Sequence, residues 1–303
     1  MNTQPDSSPL EISHPHDGVT VIWLNRPQKH NAMTQALIAE LHDTLTTLAH
    51  DDNTRVLILA GRGKSFCSGA DLNYMKSMVD FSHEENVEDA SRFAGMLQAL
   101  HQFPKPVIAA LHGNVFAGAT GLTACSDIVI AADDARFCVS EVKLGLVPAV
   151  ISPYVVARIG AHQARRYFLT AEVFDAEAAR QAGLVHRCVP ADTLMNEVMA
   201  TAMQLLNNAP RAMATTKNLI NYLVPVPAAR EITDYTAALI ARVRTGQEAQ
   251  GGLQAFLDKQ PPPWSQDSSP EPVNSPELVN SPERIDSPER IDSPEQNKSK
   301  DKP

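Results

Sequence analysis

An α/β fold is what this chain of 303 residues predicts. Short β-branched runs recur along it, each followed by a stretch with helical spacing or small residues. Two of those runs end in glycine-bearing loops, and helix-type periodicity takes over from about residue 191. Val19-Thr20-Val21-Ile22-Trp23-Leu24 reads as a buried strand, stopped by Asn25-Arg26-Pro27. Thr34 is placed to cap a helix whose Leu37, Leu41, Leu45 and Leu48 share one face. A strand over 55–60, a loop, and a helix over about 84–102 follow. A second strand over 106–111, a second loop and a short small-residue helix over 118–125 come next. Runs 127–132, 136–139 and 184–189 read as further strands. Residues 191–260 read as helices, interrupted at Asn207-Asn208-Ala209-Pro210 and Pro225-Val226-Pro227.

The ends read differently. Residues 1–17 are polar, hold three prolines and no Lys or Arg, and are expected to be flexible and to carry no export or organelle signal. Residues 266–303 repeat Ser-Pro-Glu at 269, 275, 281, 287 and 293 with hardly any large apolar side chain, so a disordered tail is expected. The tail carries −4 of the net charge of −9, leaving −5 for the rest. An acidic chain argues against a nucleic-acid surface, and no apolar run reaches membrane-spanning length. Cys67, Cys125, Cys138 and Cys188 show no paired spacing and the ten histidines no metal-ligand spacing, which predicts small buried thiols and no metal site. A cytoplasmic protein is expected.

The two loops, Phe66-Cys67-Ser68-Gly69-Ala70-Asp71-Leu72 and Gly113-Asn114-Val115-Phe116-Ala117-Gly118-Ala119-Thr120-Gly121, carry the chemistry. Each joins a strand to a helix, where backbone N–H groups lack intrahelical partners and the helix dipole favours negative charge. Two such groups converging on one point suggest an oxyanion hole.

In order and spacing, these loops resemble the enoyl-CoA hydratase/isomerase (crotonase) superfamily over roughly residues 18–260. They are joined in this by Leu24-Asn25-Arg26-Pro27, Asn31-Ala32-Met33, Lys105-Pro106-Val107-Ile108-Ala109-Ala110, Ser126-Asp127-Ile128 and Ser140 through Pro148. The resemblance implies a ββα spiral core over 18–205 and a C-terminal helical oligomerisation region over 206–265. It also implies a homotrimer or hexamer and an acyl-CoA substrate, coenzyme A being part of that substrate rather than a cofactor. By the same resemblance the oxyanion donors map onto Ser68 N–H and Gly118 N–H. Gly69, Ala70 and Asp71 line the substrate, Asp71 acting as a helix cap that steadies the Ser68 amide. Lys29 and Lys259 reach the coenzyme A phosphates.

Enoyl-CoA hydratases of this family typically use two glutamates. One maps onto Glu141; the other would fall at Gly121, and Thr120, Leu122 and Thr123 offer no carboxylate. A single Glu fits hydration if it both activates water and delivers the proton, or if the substrate's own distal carboxyl holds the water, and it also fits a Δ3-Δ2 enoyl-CoA isomerase. A non-catalytic acyl-CoA binder stays open as well. A second departure, Pro148-Ala149-Val150-Ile151-Ser152-Pro153, together with Asp71 through Met78, resembles the methylglutaconyl-CoA hydratase branch linked to leucine breakdown. That branch implies a branched, carboxylated substrate such as 3-methylglutaconyl-CoA.

Overall fold

Alternation within the strands explains the layering. Val56, Ile58 and Ala60 point to one face of the main sheet and Leu57 and Leu59 to the other; Ile108 and Ala110 oppose Val107, Ala109 and Leu111 in the same way. A strand buried on both faces reads as a continuous apolar run, as parallel strands flanked by helices do. Each large side chain so buried contributes about 1.5–3 kcal/mol.

A computed structural model describes residues 8–224 and 230–264. The expected tail over 266–303 and the break at 225–227 lie outside the described residues. The strands are β1 (Leu10–His16), β2 (Gly18–Leu24), β3 (Thr54–Gly61), β4 (Val107–Leu111), β5 (Asn114–Phe116), β6 (Ile128–Ala132), β7 (Arg136–Cys138), β8 (Phe174–Asp175) and β9 (Arg187–Val189). Six form one sheet in the order β1-β2-β3-β4-β6-β9, all parallel from β2 onward, with β1 antiparallel at the edge. The remaining three form a small sheet, β5-β7-β8.

The helices follow the expected spacing. Thr34 caps α1 (Gln35–Ala49) through its hydroxyl to Leu37 N–H, and Leu37, Leu41, Leu45 and Leu48 are all buried. α2 (Leu72–Val79) and α3 (His83–His101) lead to β4, and α4 (Gly118–Cys125) leads to β6. α5 (Ser152–Thr170) is broken at Gly160, where φ is 70°. Then come α6 (Ala176–Gln181), α7 (Leu194–Leu206), α8 (Pro210–Leu223), α9 (Arg230–Arg244) and α10 (Gln247–Leu257). α7 covers one face of the large sheet with Leu194, Val198 and Ala202, while the larger core fills the other face. Among the described residues no helix is long and apolar enough to cross a membrane.

Each turn of the chain adds one rung to the large sheet, a short rung beside it, then a helix. Bridges Cys67↔Val115 and Met33↔Ala70 extend the small stack beyond β5, so the segments after β2, β3, β4 and β6 lie side by side. That is the ββα spiral which the resemblance implies. One expectation is corrected. Residues 10–16 are not flexible but form β1, paired with β2 from Leu10↔Leu24 to His16↔Val19. Beyond Leu10 and exposed Ile12 it holds polar side chains and Pro15, as an edge strand tolerates.

Candidate functional site

The spiral stacks the two glycine-bearing loops against each other. Phe66 N–H donates to His112 O, Cys67 N–H to Asn114 O and Phe116 N–H to Cys67 O, fixing their register. Gly69 sits at φ +96°, and a Cβ added there would meet the Ala117 Cβ at 3.3 Å, so glycine suits both the turn and the close approach. Ala117 itself holds φ 49° and ψ −119°, a strained setting for a non-glycine residue, its N–H donating to Cys138 O. This turn starts α4 at Gly118.

Ser68 is the correction at this site. Its N–H donates to His30 O at 3.0 Å and is therefore spent within the fold. Asp71 N–H is likewise spent on Met33 O, and Met33 N–H donates to Gly69 O. In this bridge Ala70 faces its own N–H and C=O away from Met33. Among the described residues Ala70 N–H and Gly118 N–H donate no hydrogen bond. Left-handed Gly69 thus separates an occupied amide from an unoccupied one.

Ser68, Gly69, Ala70, Gly118 and Glu141 line one cavity of about 450 Å³, otherwise walled largely by apolar side chains such as Met33, Phe93, Leu146 and Ile151. That size is ordinary for a small-molecule site. Glu141 begins a 3-10 turn, Glu141–Leu144, closed by left-handed Gly145. The residue is half-buried, but its Oε2 is shut from solvent and has no hydrogen-bond partner. Burial raises its carboxyl from an ordinary 4.5 to about 7, opposed only by its own backbone N–H. An acid that is poised near neutrality can give and take a proton.

The position of the second glutamate is filled. A Cβ built on Gly121 would lie 2.5 Å from Ile151 Cγ2 and 3.1 Å from Ile151 Cβ. The two sequence departures are therefore one packing arrangement, with the bulky turn after Pro148 occupying the space beside Gly121.

Asp71 lies outside the cavity lining. It caps α2, accepting Asn73 N–H at 2.9 Å, and pairs with Arg26 at 3.0 Å. Burial pushes its carboxyl up, but the Arg26 guanidinium and the Asn73 N–H outweigh this and hold it below the usual range. Lys29 and Lys259 are exposed and also outside the lining, although Phe256 and Gln260 beside Lys259 belong to it. Cys67 is buried, and burial raises its thiol to about 12, which excludes thiolate chemistry at neutral pH.

Sequence reasoning missed a polar cluster in the cavity wall. Asp89 accepts from Tyr74 Oη at 2.5 Å, from Gln35 Nε2 at 3.1 Å and from Arg244 Nη1 at 2.9 Å. The signal was available. Asn86, Asp89 and Phe93 fall on the same stripe of α3 as Ala90 and Leu97, so two polar groups stand where the helix buries its face.

Residues 14–267 match the model of the enoyl-CoA hydratase/isomerase family. Hydroxycinnamoyl-CoA hydratase-lyase of Pseudomonas fluorescens is 32% identical over 80% of this chain and 90% of its own length. Crotonyl-CoA hydratase of Syntrophomonas wolfei is 30% identical over 82% and 95%. The crystal structure of an enoyl-CoA hydratase from Shewanella pealeana superposes with a TM-score of 0.69 at 41% identity, covering 84% of this chain and 95% of that one. The chain belongs to the enoyl-CoA hydratase/isomerase family.

Proposed function

We propose that this protein adds water across the double bond of a 2,3-unsaturated acyl-CoA thioester. The observation that carries this reading is the buried Glu141 carboxyl, its Oε2 without a partner, in the cavity that Ala70 and Gly118 also line. The thioester oxygen accepts from Ala70 N–H and Gly118 N–H, the pair left unspent by the fold. Charge gathers on that oxygen as water attacks Cβ, and each donor contributes ~2.7–4 kcal/mol of transition-state stabilisation. Ionised Glu141 takes a proton from the water as its oxygen bonds to Cβ. The resulting carboxylic acid returns a proton to Cα as the enolate collapses, so one water is consumed and the carboxylate is restored. In this reading one residue fills both roles, and the packing of Ile151 beside Gly121 supports it by leaving no room for a side chain there.

The test follows loss of the conjugated thioester absorbance. Glu141→Gln is expected to lower kcat by about 10²–10⁴; unimpaired turnover would remove Glu141 from the mechanism. The solitary carboxylate also favours a second reading, a Δ3-Δ2 isomerase in which Glu141 moves a proton between carbons. Turnover in heavy-oxygen water separates the two, since only hydration puts the label into product.

Three finer points rest on the same reading. A branched, carboxylated chain such as 3-methylglutaconyl-CoA is supported by the sequence pattern over 71–78 and 147–153. A homotrimer or hexamer is supported by α8, which buries no residue and exposes Leu219, Ile220, Tyr222 and Leu223. The coenzyme A phosphates meet the exposed charges of Lys29 and Lys259, the latter flanked by cavity residues.

A further inference from the structure

The cavity has a second polar feature that the hydration chemistry leaves unused. α3 and α9 are joined by the Asp89–Arg244 pair, with side chains 3% and 14% exposed, and both residues line the cavity together with Tyr74. Asp89 is fully engaged: Tyr74, Gln35 and Arg244 all donate to it. Arg244 is not. Both of its hydrogen bonds leave from Nη1, to Asp89 Oδ2 at 2.9 Å and Asn86 Oδ1 at 3.5 Å, while its Nε is buried without a partner. A buried N–H with nothing to donate to is costly unless a ligand supplies the acceptor. The edge of a guanidinium that carries Nε is built to receive a carboxylate in two parallel hydrogen bonds. Besides Asp89 and Tyr74, the other ionisable groups of the lining are Glu141 and exposed Lys143.

From this arrangement we infer that Arg244 reads the distal end of the acyl chain and selects chains that end in a carboxylate. The inference rests on the acyl-CoA reading of the cavity and adds a specificity-determining residue to it. Asp89 holds the guanidinium at Nη1, Tyr74 and Gln35 hold Asp89, and the edge that carries Nε, closed off from solvent, takes the ligand's carboxylate once the side chain shifts toward it. A methyl-ended chain leaves the Nε donor unpaired, and a carboxylate-ended chain satisfies it.

Saturated thioesters separate binding from turnover. Affinities of the full chain for succinyl-, glutaryl- and adipyl-CoA are measured by calorimetry against butyryl-, valeryl- and hexanoyl-CoA of matching length. At one length or more the carboxylate is expected to tighten binding about ten-fold or better, the size of a charge-assisted hydrogen-bond pair. Arg244→Met should bring that ratio close to one while the methyl-ended ligands still bind. Because Arg244→Met strands a buried Asp89, the double variant Asp89→Asn/Arg244→Gln, which removes both charges at similar volume, is measured alongside. Asp89→Asn alone, which frees the guanidinium, should keep the preference. Absence of a preference at every length, or its survival in the double variant, overturns the inference and leaves the hydration reading standing. Failure of every acyl-CoA to bind overturns both.

Discussion

Two buried carboxylates share this cavity, and the fold treats them in opposite ways. Asp89 receives three side-chain hydrogen bonds, one of them from a guanidinium, and acts as a strut between α3 and α9. Glu141 receives none at Oε2, and burial, opposed by its own backbone N–H, sets its pKa at about 7. A satisfied carboxylate fixes structure. An unsatisfied one is kept at a cost in stability and gains reactivity in return. The same contrast separates the amides at 68 and 70, one tied to His30 and the other left open.

Removing each carboxylate sharpens the contrast. Asp89→Ala leaves Arg244 as an unpaired buried charge and should cost about 3–5 kcal/mol in a denaturant titration, whatever its effect on turnover. Glu141→Gln should do the reverse. A carboxyl whose pKa is raised on folding keeps a proton that the unfolded chain has lost, so wild-type stability falls as pH rises from about 4.5 to about 7. The variant lacks that loss and should exceed wild type by up to ~3 kcal/mol at pH 8, with little difference at pH 4. Equal stability at both pH values would break the comparison. In the same range kcat/KM of the wild type should fall about ten-fold per pH unit below about 7, as the carboxylate form is titrated away. Smallest is the packing effect at the absent second acid. Gly121→Ala should cost ~1–3 kcal/mol by overpacking against Ile151, and Ile151→Ala in the same chain should recover part of it.

How much of this was legible in the sequence depends on the reach of the contacts involved. α4 begins and ends at the residues its small-residue run predicts, and Thr34 caps α1 as its hydroxyl and the leucine spacing require. These are local matters. The ββα winding came from resemblance, because periodicity names strands and helices but not the order in which they stack. β1 escaped detection because only Leu10 of its seven residues is buried, so its alternation is faint. The strand expected over 184–189 shortens to Arg187–Val189 because Leu184 and Val185 turn their N–H groups back to Ala179 at the end of α6. Which amide of the first loop stays open could not be read locally. It is decided by His30 and Met33, which pair with a segment more than thirty residues away. The steric reason for Gly121 lies in Ile151, equally remote in sequence.

A crystal structure of the full chain with a saturated acyl-CoA bound tests the central claim most directly. The account predicts the thioester oxygen about 2.7–3.1 Å from both Ala70 N and Gly118 N, with the Glu141 carboxyl facing the carbons next to the thioester. A thioester oxygen that contacts neither amide, or a Glu141 turned away from those carbons, would contradict it.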